Sequence, residues 1–391
     1  MKLNDSYRVI ISGGGTGGHI FPALAIANEM KKRNPQNDIL FVGSKHRMEM
    51  NRIPEAGYKI IGINISGFQR KKLFVNLSLP LKVMACLVRC AGILRKYKPQ
   101  IAIGVGGYVS GPLLLSAVFN GIPTLIQEQN SYAGITNKIL ARYVDKVCVA
   151  YNNMEKYFPK EKIILTGNPV KNEMLERKPE KSTAIETFHL RPEFPVIFIS
   201  GGSLGARTLN LSVLNALDEI YKANVQLIWQ TGERPYEEMV KLFENRMEEI
   251  VKKNGVNYNI IKERVKIVPF IKNMHQAYSA SDVVVSRAGA LTLAEICTVK
   301  IPCILVPSPN VAEDHQTKNA EVLIQKGAGW LIKDKDAQAN LIKKAMQLAF
   351  DEFEKGKMIN NQSGIVPENA AEKIVNEVEK LISERCYSKK T

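Results

Sequence analysis

The chain of 391 residues predicts an α/β fold of two doubly wound, parallel-sheet domains, and three observations carry that prediction. Short, continuously apolar runs alternate with stretches of helical periodicity, the pattern of βαβ units whose strands are covered on both faces. Two of these runs lead directly into glycine clusters 188 residues apart: Tyr7–Ser12 into Gly13-Gly14-Gly15-Thr16-Gly17-Gly18, and Val196–Ser200 into Gly201-Gly202-Ser203-Leu204-Gly205. That spacing is one domain's worth of chain, and the full length exceeds what a single core ordinarily organises.

In the first half the apolar runs place strands at Arg8–Ser12, Ile39–Val42, Lys59–Ile63, Ile101–Val105, Thr124–Gln127, Lys146–Ala150 and Ile163–Thr166. Pro99–Gln127 has no charged residue and imitates a membrane span, but its glycines and prolines divide it into strand, glycine turn, short helix and second strand. A spanning helix needs about 20 continuous residues. Gly167-Asn168-Pro169 and the polar stretch that follows to Pro195 mark the boundary between halves. The second half places strands at Val196–Ser200, Val225–Gln230, Val265–Val268, Val283–Ser286, Cys303–Val306 and Trp330–Ile332. Glu233–Asn254 reads as a charge-rich, solvated helix and Pro367–Ile382 as a closing amphipathic helix. The expected domains are 1–167 together with a C-terminal helix, 364–391, and 168–363.

At 45% hydrophobic and 24% charged residues, the composition is that of a globular protein rather than a disordered or fibrous one. Its charge is one-sided. Of the net +16, residues 1–150 supply +13, and no Asp or Glu occurs between Glu55 and Glu128, where nine Lys and Arg fall. Such a half implies a negatively charged partner: nucleic acid, anionic membrane or phosphorylated substrate. No apolar segment precedes the first strand, so no cleaved signal peptide is expected. Six cysteines without paired spacing read as free thiols, with Cys86 and Cys90 packed into a core.

Four loops are candidates for chemistry. Gly13, Gly15 and Gly18 satisfy GxGxxG, whose glycines and following helix suit a phosphate. The second strand ends Val42-Gly43-Ser44-Lys45 without the acid a nicotinamide cofactor's ribose requires; Asp38 precedes that strand and Glu49 follows well after it. His19 stands where the turn becomes a helix and can accept a proton near neutral pH. In Gly201–Gly205, Ser203 adds a hydroxyl donor to the backbone N–H groups. Ser286-Arg287-Ala288-Gly289-Ala290 opens a third helix, in which Glu295 either holds a ribose or closes a capping box. The loop after Cys303–Val306 carries Gln316 and Asn319, suited to sugar hydroxyls, where α/β sheets bind ligands. Asp334-Lys335-Asp336 reads as a helix-capping turn rather than a metal–diphosphate site, and no ligand spacing predicts a metal.

GGGTGGHIFPALAIA, GVGGYVSGP, QEQNSYAGITNK, GNPV, GGSLGARTLN, SRAGALTLAEI and EDHQTKNAEVL occur in this order across nearly the whole chain. Together they resemble the MurG family of bacterial UDP-N-acetylglucosamine:lipid I N-acetylglucosaminyltransferases of peptidoglycan synthesis. The resemblance implies a GT-B fold, two Rossmann-like domains facing a cleft, with the last helix returning to the first domain. It implies that the backbone of Ile271 reads uracil and Glu295 holds the ribose. Ser203 and the helix start Ala290, Leu291 and Thr292 would hold the diphosphate, Leu293 and Ala294 are counted with the substrate-binding residues, and Gln316 would contact the sugar. Thr16, Gly17, Gly18 and Asn130 would complete the sugar and acceptor side. Two departures stand out. Gln127 stands where the family often has His, which shifts weight to His19. Lys171 stands where it often has Arg, keeping the charge without the bidentate fork.

The implied reaction is inverting transfer of GlcNAc from UDP-GlcNAc to the C4 hydroxyl of MurNAc in lipid I, without a cofactor. His19 is the expected base, with Glu128 second. The acceptor is a lipid, and Phe68–Lys98 interleaves basic and apolar residues as an interfacial element would. The expected location is therefore peripheral, on an anionic membrane at the cytoplasmic face of the bacterial inner membrane. A glycosyltransferase acting on another lipid such as diacylglycerol shares the donor side. A nucleic-acid-binding module would want aromatics interleaved with the charge, and residues 56–127 have few.

Overall fold

The computed structural model describes residues 6–65, 79–170, 174–175, 179–255 and 257–388. The chain divides into two units, Met1–Asn172 with Val366–Thr391, and Glu173–Ile365. The division falls a few residues beyond each boundary read from the sequence.

Unit 1 runs β1 (Arg8–Ser12), α1 (Gly17–Arg33), β2 (Asp38–Ser44), α2 (Glu49–Glu55), β3 (Lys59–Ile63), α3 (Leu79–Tyr97), β4 (Ile101–Gly104), α4 (Ser110–Phe119), β5 (Thr124–Glu128), α5 (Ile135–Leu140), β6 (Lys146–Val149) and β7 (Ile163–Leu165). Unit 2 runs α6 (Lys181–Thr187), β8 (Val196–Ser200), α7 (Arg207–Asn215), α8 (Leu217–Lys222), β9 (Gln226–Gln230), α9 (Tyr236–Asn254), α10 (Tyr258–Arg264), β10 (Val265–Val268), α11 (Met274–Ala280), β11 (Val283–Ser286), α12 (Ala290–Val299), β12 (Cys303–Leu305), α13 (His315–Ile324), β13 (Trp330–Leu331), α14 (Asp334–Phe350) and α15 (Glu352–Gln362). The last helix, α16 (Ala370–Ser388), falls within unit 1.

All strand pairings within each unit are parallel. Unit 1 has the order β3-β2-β1-β4-β5-β6-β7 and unit 2 the order β10-β9-β8-β11-β12-β13. Strand order reverses beside the first strand of each, between β1 and β4 and between β8 and β11. The loops beyond such a switch point form the ligand crevice of an open α/β sheet. Register follows the buried runs: Ile10 lies between Leu40 and Ala102, and Phe198 between Ile228 and Val284.

The strands are apolar throughout because both faces are covered. Val9, Ile11, Ile39 and Ile101 pack with Ile374, Val375 and Val378 of α16, whereas Ile10, Ala102 and Val147 pack with Cys90 and Leu94 of α3. Each such aliphatic burial contributes roughly 1.5–3 kcal/mol relative to exposure. Arg33 of α1 clamps α16 through Glu379 at 2.8 Å and the Glu372 carbonyl at 3.0 Å. The charge-rich α9 is more than a solvated face: Met239, Phe243, Met247 and Ile250 form a buried stripe. Gly255 then ends it in the left-handed conformation, φ 63°, its N–H bonded to the Val251 carbonyl.

All six cysteines are free, and Cys86 and Cys90 are buried in α3. Burial pushes the Cys90 thiol up to about 12, with smaller effects from Cys86 upward and Arg89 downward. It is thereby kept from the reactive thiolate. Among the described residues no helix is long and apolar enough to cross a membrane.

Candidate active site

In unit 1 the β1–α1 turn and the loop after β4 meet at the switch point. Thr16 caps α1 through its backbone, its carbonyl accepting the His19 N–H at 3.2 Å. The His19 imidazole turns back, and Nδ1–H donates to the Gly14 carbonyl at 2.9 Å. A carbonyl only accepts, so the proton of the neutral ring sits on Nδ1 and the lone pair on Nε2. Gly106, at φ 105°, makes room for this ring, because a side chain there would meet imidazole Cδ2 at 2.6 Å. A side chain at Gly107 would meet the Gly14 carbonyl oxygen at 2.7 Å. GVGGYVSGP therefore needs its paired glycines to approach the first glycine turn. Gly17 and Gly18 occupy the first turn of α1.

Glu128, at the end of β5, is buried and fully engaged. Oε1 accepts the Asn130 backbone N–H at 3.0 Å and its Nδ2 at 3.2 Å; Oε2 accepts Gly134 N–H at 3.0 Å and Asn137 Nδ2 at 2.9 Å. Four donors on two oxygens make it the organiser of the Asn130 loop, which weakens its case as second base. Gln127 is also buried: its Nε2 donates to Asn168 Oδ1 at 3.1 Å, and Asn168 Nδ2 donates to the Gln129 carbonyl at 2.9 Å. The amide joins β5 to the Gly167-Asn168-Pro169 turn. Lys171 lies outside the described residues, as do Phe68, Arg70, Lys71, Lys72, Leu73, Phe74 and Leu77.

In unit 2 the Gly201–Gly205 loop follows β8, with the Ser203 carbonyl accepting Glu233 N–H at 3.3 Å. α12 begins after Gly289, which has no side chain to cap it. A helix N-terminus so built favours an anion. Ala290, Leu291 and Thr292 form its first turn, and Leu293 and Ala294 follow in its second. Both side chains are in the core, and the Leu293 N–H donates to the Gly289 carbonyl at 3.0 Å. Glu295 is buried and accepts the Tyr278 hydroxyl at 2.9 Å. Gln316 opens α13 and accepts Ser308 N–H through Oε1 at 2.8 Å, which fixes its amide.

The hydrogen bonds add detail at Ile271 and correct the reading of Asp334 as a cap. The Ile271 N–H donates to Gln230 Oε1 at 2.9 Å, so a base read by this backbone is left the Ile271 carbonyl. Gln230 also donates to Ser200 Oγ at 3.0 Å, tying the β9 end to the glycine loop. Asp334 opens α14 without capping it by a side-chain bond. Its carboxylate accepts Arg287 at 2.5 Å and the Thr208 hydroxyl at 3.0 Å. Arg287 donates as well to the Val306 carbonyl at 3.0 Å, so one guanidinium joins the ends of β11 and β12 to α14. Gln230, Arg287 and Thr208 were not singled out in the sequence, because their partners lie 41, 47 and 126 residues away.

The chain matches the glycosyltransferase family 28 N-terminal domain over residues 9–149 and the family's C-terminal domain over residues 196–378. It is 48% identical over 383 residues to the UDP-N-acetylglucosamine--N-acetylmuramyl-(pentapeptide) pyrophosphoryl-undecaprenol N-acetylglucosamine transferase of Cytophaga hutchinsonii, covering 98% of this chain and 99% of that one. The protein of the same name from Parabacteroides distasonis is 47% identical, with 97% and 99% covered. Among solved structures, MurG of Acinetobacter baumannii matches with a TM-score of 0.71 at 28% identity, covering 96% of this chain and 99% of that one. The calicheamicin glycosyltransferase CalG4 shares the fold at a TM-score of 0.65 and 14% identity, with 97% and 99% covered. With both family domains matched on two doubly wound units, this chain is a hexosyltransferase of the GT-B fold and belongs to glycosyltransferase family 28.

Proposed function

We propose that this chain transfers GlcNAc from UDP-GlcNAc to the C4 hydroxyl of the MurNAc-pentapeptide of lipid I, giving lipid II for cell-wall synthesis, on which cell shape and division depend. The observation that carries the reading is its near-full-length identity to relatives named for that transfer. The Nδ1–H···O=C bond of His19 supports the mechanism. Nε2 accepts the C4 proton as that oxygen attacks C1 from the face opposite the diphosphate. The C1–O bond breaks, and UDP leaves with its electron pair and inverts the centre. A positioned base of this kind contributes about 10²–10⁴-fold. Charge growing on the diphosphate is met by the Ser203 loop and the first turn of α12, whose donors are already oriented. Glu295 holds the ribose, Ile271 the uracil and Gln316 the sugar, while Thr16, Gly17, Gly18, Asn130 and Lys171 serve the sugar and acceptor side.

We further propose a peripheral site of action on anionic membrane at the cytoplasmic face. Met84 and Val88 of α3, Phe119 of α4, and Ile135 and Ile139 of α5 are exposed, in helices packed in series, α3 on α4 and α4 on α5. Lys82, Arg89 and Arg142 are exposed beside them in sequence. Apolar insertion plus basic attraction supports interfacial binding.

The deciding experiment follows radiolabelled GlcNAc from its UDP ester into a panel of lipid I, diacylglycerol and no acceptor. Label in lipid II alone is expected. Label in diacylglycerol alone, or salt-sensitive RNA binding without UDP binding, overturns the reading.

A further inference from the structure

The turn that carries His19 is gripped from its other side by Glu49, which lies in the first turn of α2 and is fully buried. Its Oε2 accepts the Gly15 N–H at 2.9 Å and its Oε1 accepts the Ser44 N–H at 3.0 Å. The surroundings are shaped to it. A Cβ on Gly43 would meet Glu49 Cγ at 2.7 Å, and one on Gly14 would meet its carboxyl carbon at 2.5 Å.

The Gly15 N–H and the Gly14 C=O belong to one planar peptide unit. Glu49 therefore holds one edge of that unit while His19 Nδ1 holds the other. We propose that Glu49 is a positioning residue for His19, acting through the Gly14–Gly15 peptide to fix the imidazole as its Nδ1–H tautomer. This deepens the assignment of His19 as base and rests on it.

The argument turns on what the peptide does without its anchor. It is flanked by two glycines, one at φ 89°, so little steric resistance opposes its rotation. Turned over, it would present an N–H to Nδ1. The ring would then have to accept there and carry its proton on Nε2, where the reaction needs a lone pair. A carboxylate on the N–H makes that rotation costly, because it would lose a charge-assisted bond and leave a buried oxygen unmatched. Polarising the peptide also makes its carbonyl a stronger acceptor. The series carboxylate–peptide–imidazole thus does for His19 what a directly bonded carboxylate does in other histidine bases.

The test is nitrogen NMR on the full-length protein labelled at its five histidines, with the His19 signal assigned by its loss in His19→Gln. Neutral His19 is expected to be protonated at Nδ1. A dominant Nε2–H form in the unaltered protein overturns the proposal without recourse to any variant. In Glu49→Gln, one oxygen becomes an NH2 that confronts a backbone N–H. The tautomer preference is expected to be lost and kcat to fall about ten-fold or more, with the KM for UDP-GlcNAc held within about two-fold. Glu49→Asp, which keeps the charge, recovers part of both. An unchanged tautomer in Glu49→Gln overturns the proposal whatever kcat does. A lost tautomer preference with undiminished kcat upholds the coupling and instead removes His19 as the base, as normal turnover in His19→Ala would.

Discussion

The Tyr278 hydroxyl donates to Glu295 Oε2 at 2.9 Å, and both side chains are buried. The carboxylate proposed to hold ribose hydroxyls is thus fixed from α11 before any nucleotide arrives. Tyr278→Phe is expected to raise the KM for UDP-GlcNAc several-fold with little change in kcat, and to lower stability by about 1–2 kcal/mol. Steady-state kinetics and urea unfolding check the two parts.

The same pair gives a pH dependence. Burial, followed by the charge and hydrogen bond of Glu295, pushes the Tyr278 hydroxyl well above its ordinary value. The unfolded tyrosine ionises near pH ~10 while the folded one does not. Its contribution is therefore complete below about pH 10 and is lost as pH rises from there toward the folded pKa. The Tm difference between the unaltered protein and Tyr278→Phe is expected to narrow above that pH in a thermal melt series.

His19→Ala is expected to reduce turnover by about 10²–10⁴-fold while UDP binding, measured by calorimetry, stays within about two-fold. Near-normal turnover would remove His19 from the mechanism.

Glu128→Gln replaces one acceptor oxygen with a donor that faces the Asn130 or the Gly134–Asn137 donors. The expected result is a loss of about 1–3 kcal/mol in stability. The kcat loss is expected to be smaller than that of His19→Ala, as suits a residue that holds a loop. A Glu128→Gln variant of full stability and no activity would restore its candidacy as base.

Charge reversal at Arg89 combined with Val88→Asp is expected to release the protein from phosphatidylglycerol vesicles in flotation, while UDP binding persists. Each basic residue near such a surface contributes about 1 kcal/mol. Unchanged flotation would dismiss this face as the membrane contact.

Much of this was legible in one sequence. Among the described residues, all thirteen strands lie where the apolar runs place them, with ends differing by at most two residues. Strands buried on both faces carry a continuous signal, which is why Val196–Ser200 needed no context. The glycine turns were legible because few other residues tolerate φ 89°, as at Gly15, or φ 105° beside a ring, as at Gly106. What stayed hidden is pairing across the chain. Glu49 looks like the wrong acid in the wrong place until Gly15 is seen to reach it. Asp334 looks like a cap until Arg287 arrives from the end of β11.

The place of α16 has a consequence for how the chain is made. Ile374, Val375, Val378, Leu381 and Ile382 cover one face of the first sheet, yet they leave the ribosome after the whole of unit 2. At roughly 5–20 residues per second, that face waits some tens of seconds for its cover. Throughout that interval Val9, Ile11, Ile39 and Ile101 lack their final partners, so the first half synthesised is the last to be finished. A nascent chain arrested before residue 370 would present an aliphatic surface suited to a chaperone, and unit 2 would be folded beside it.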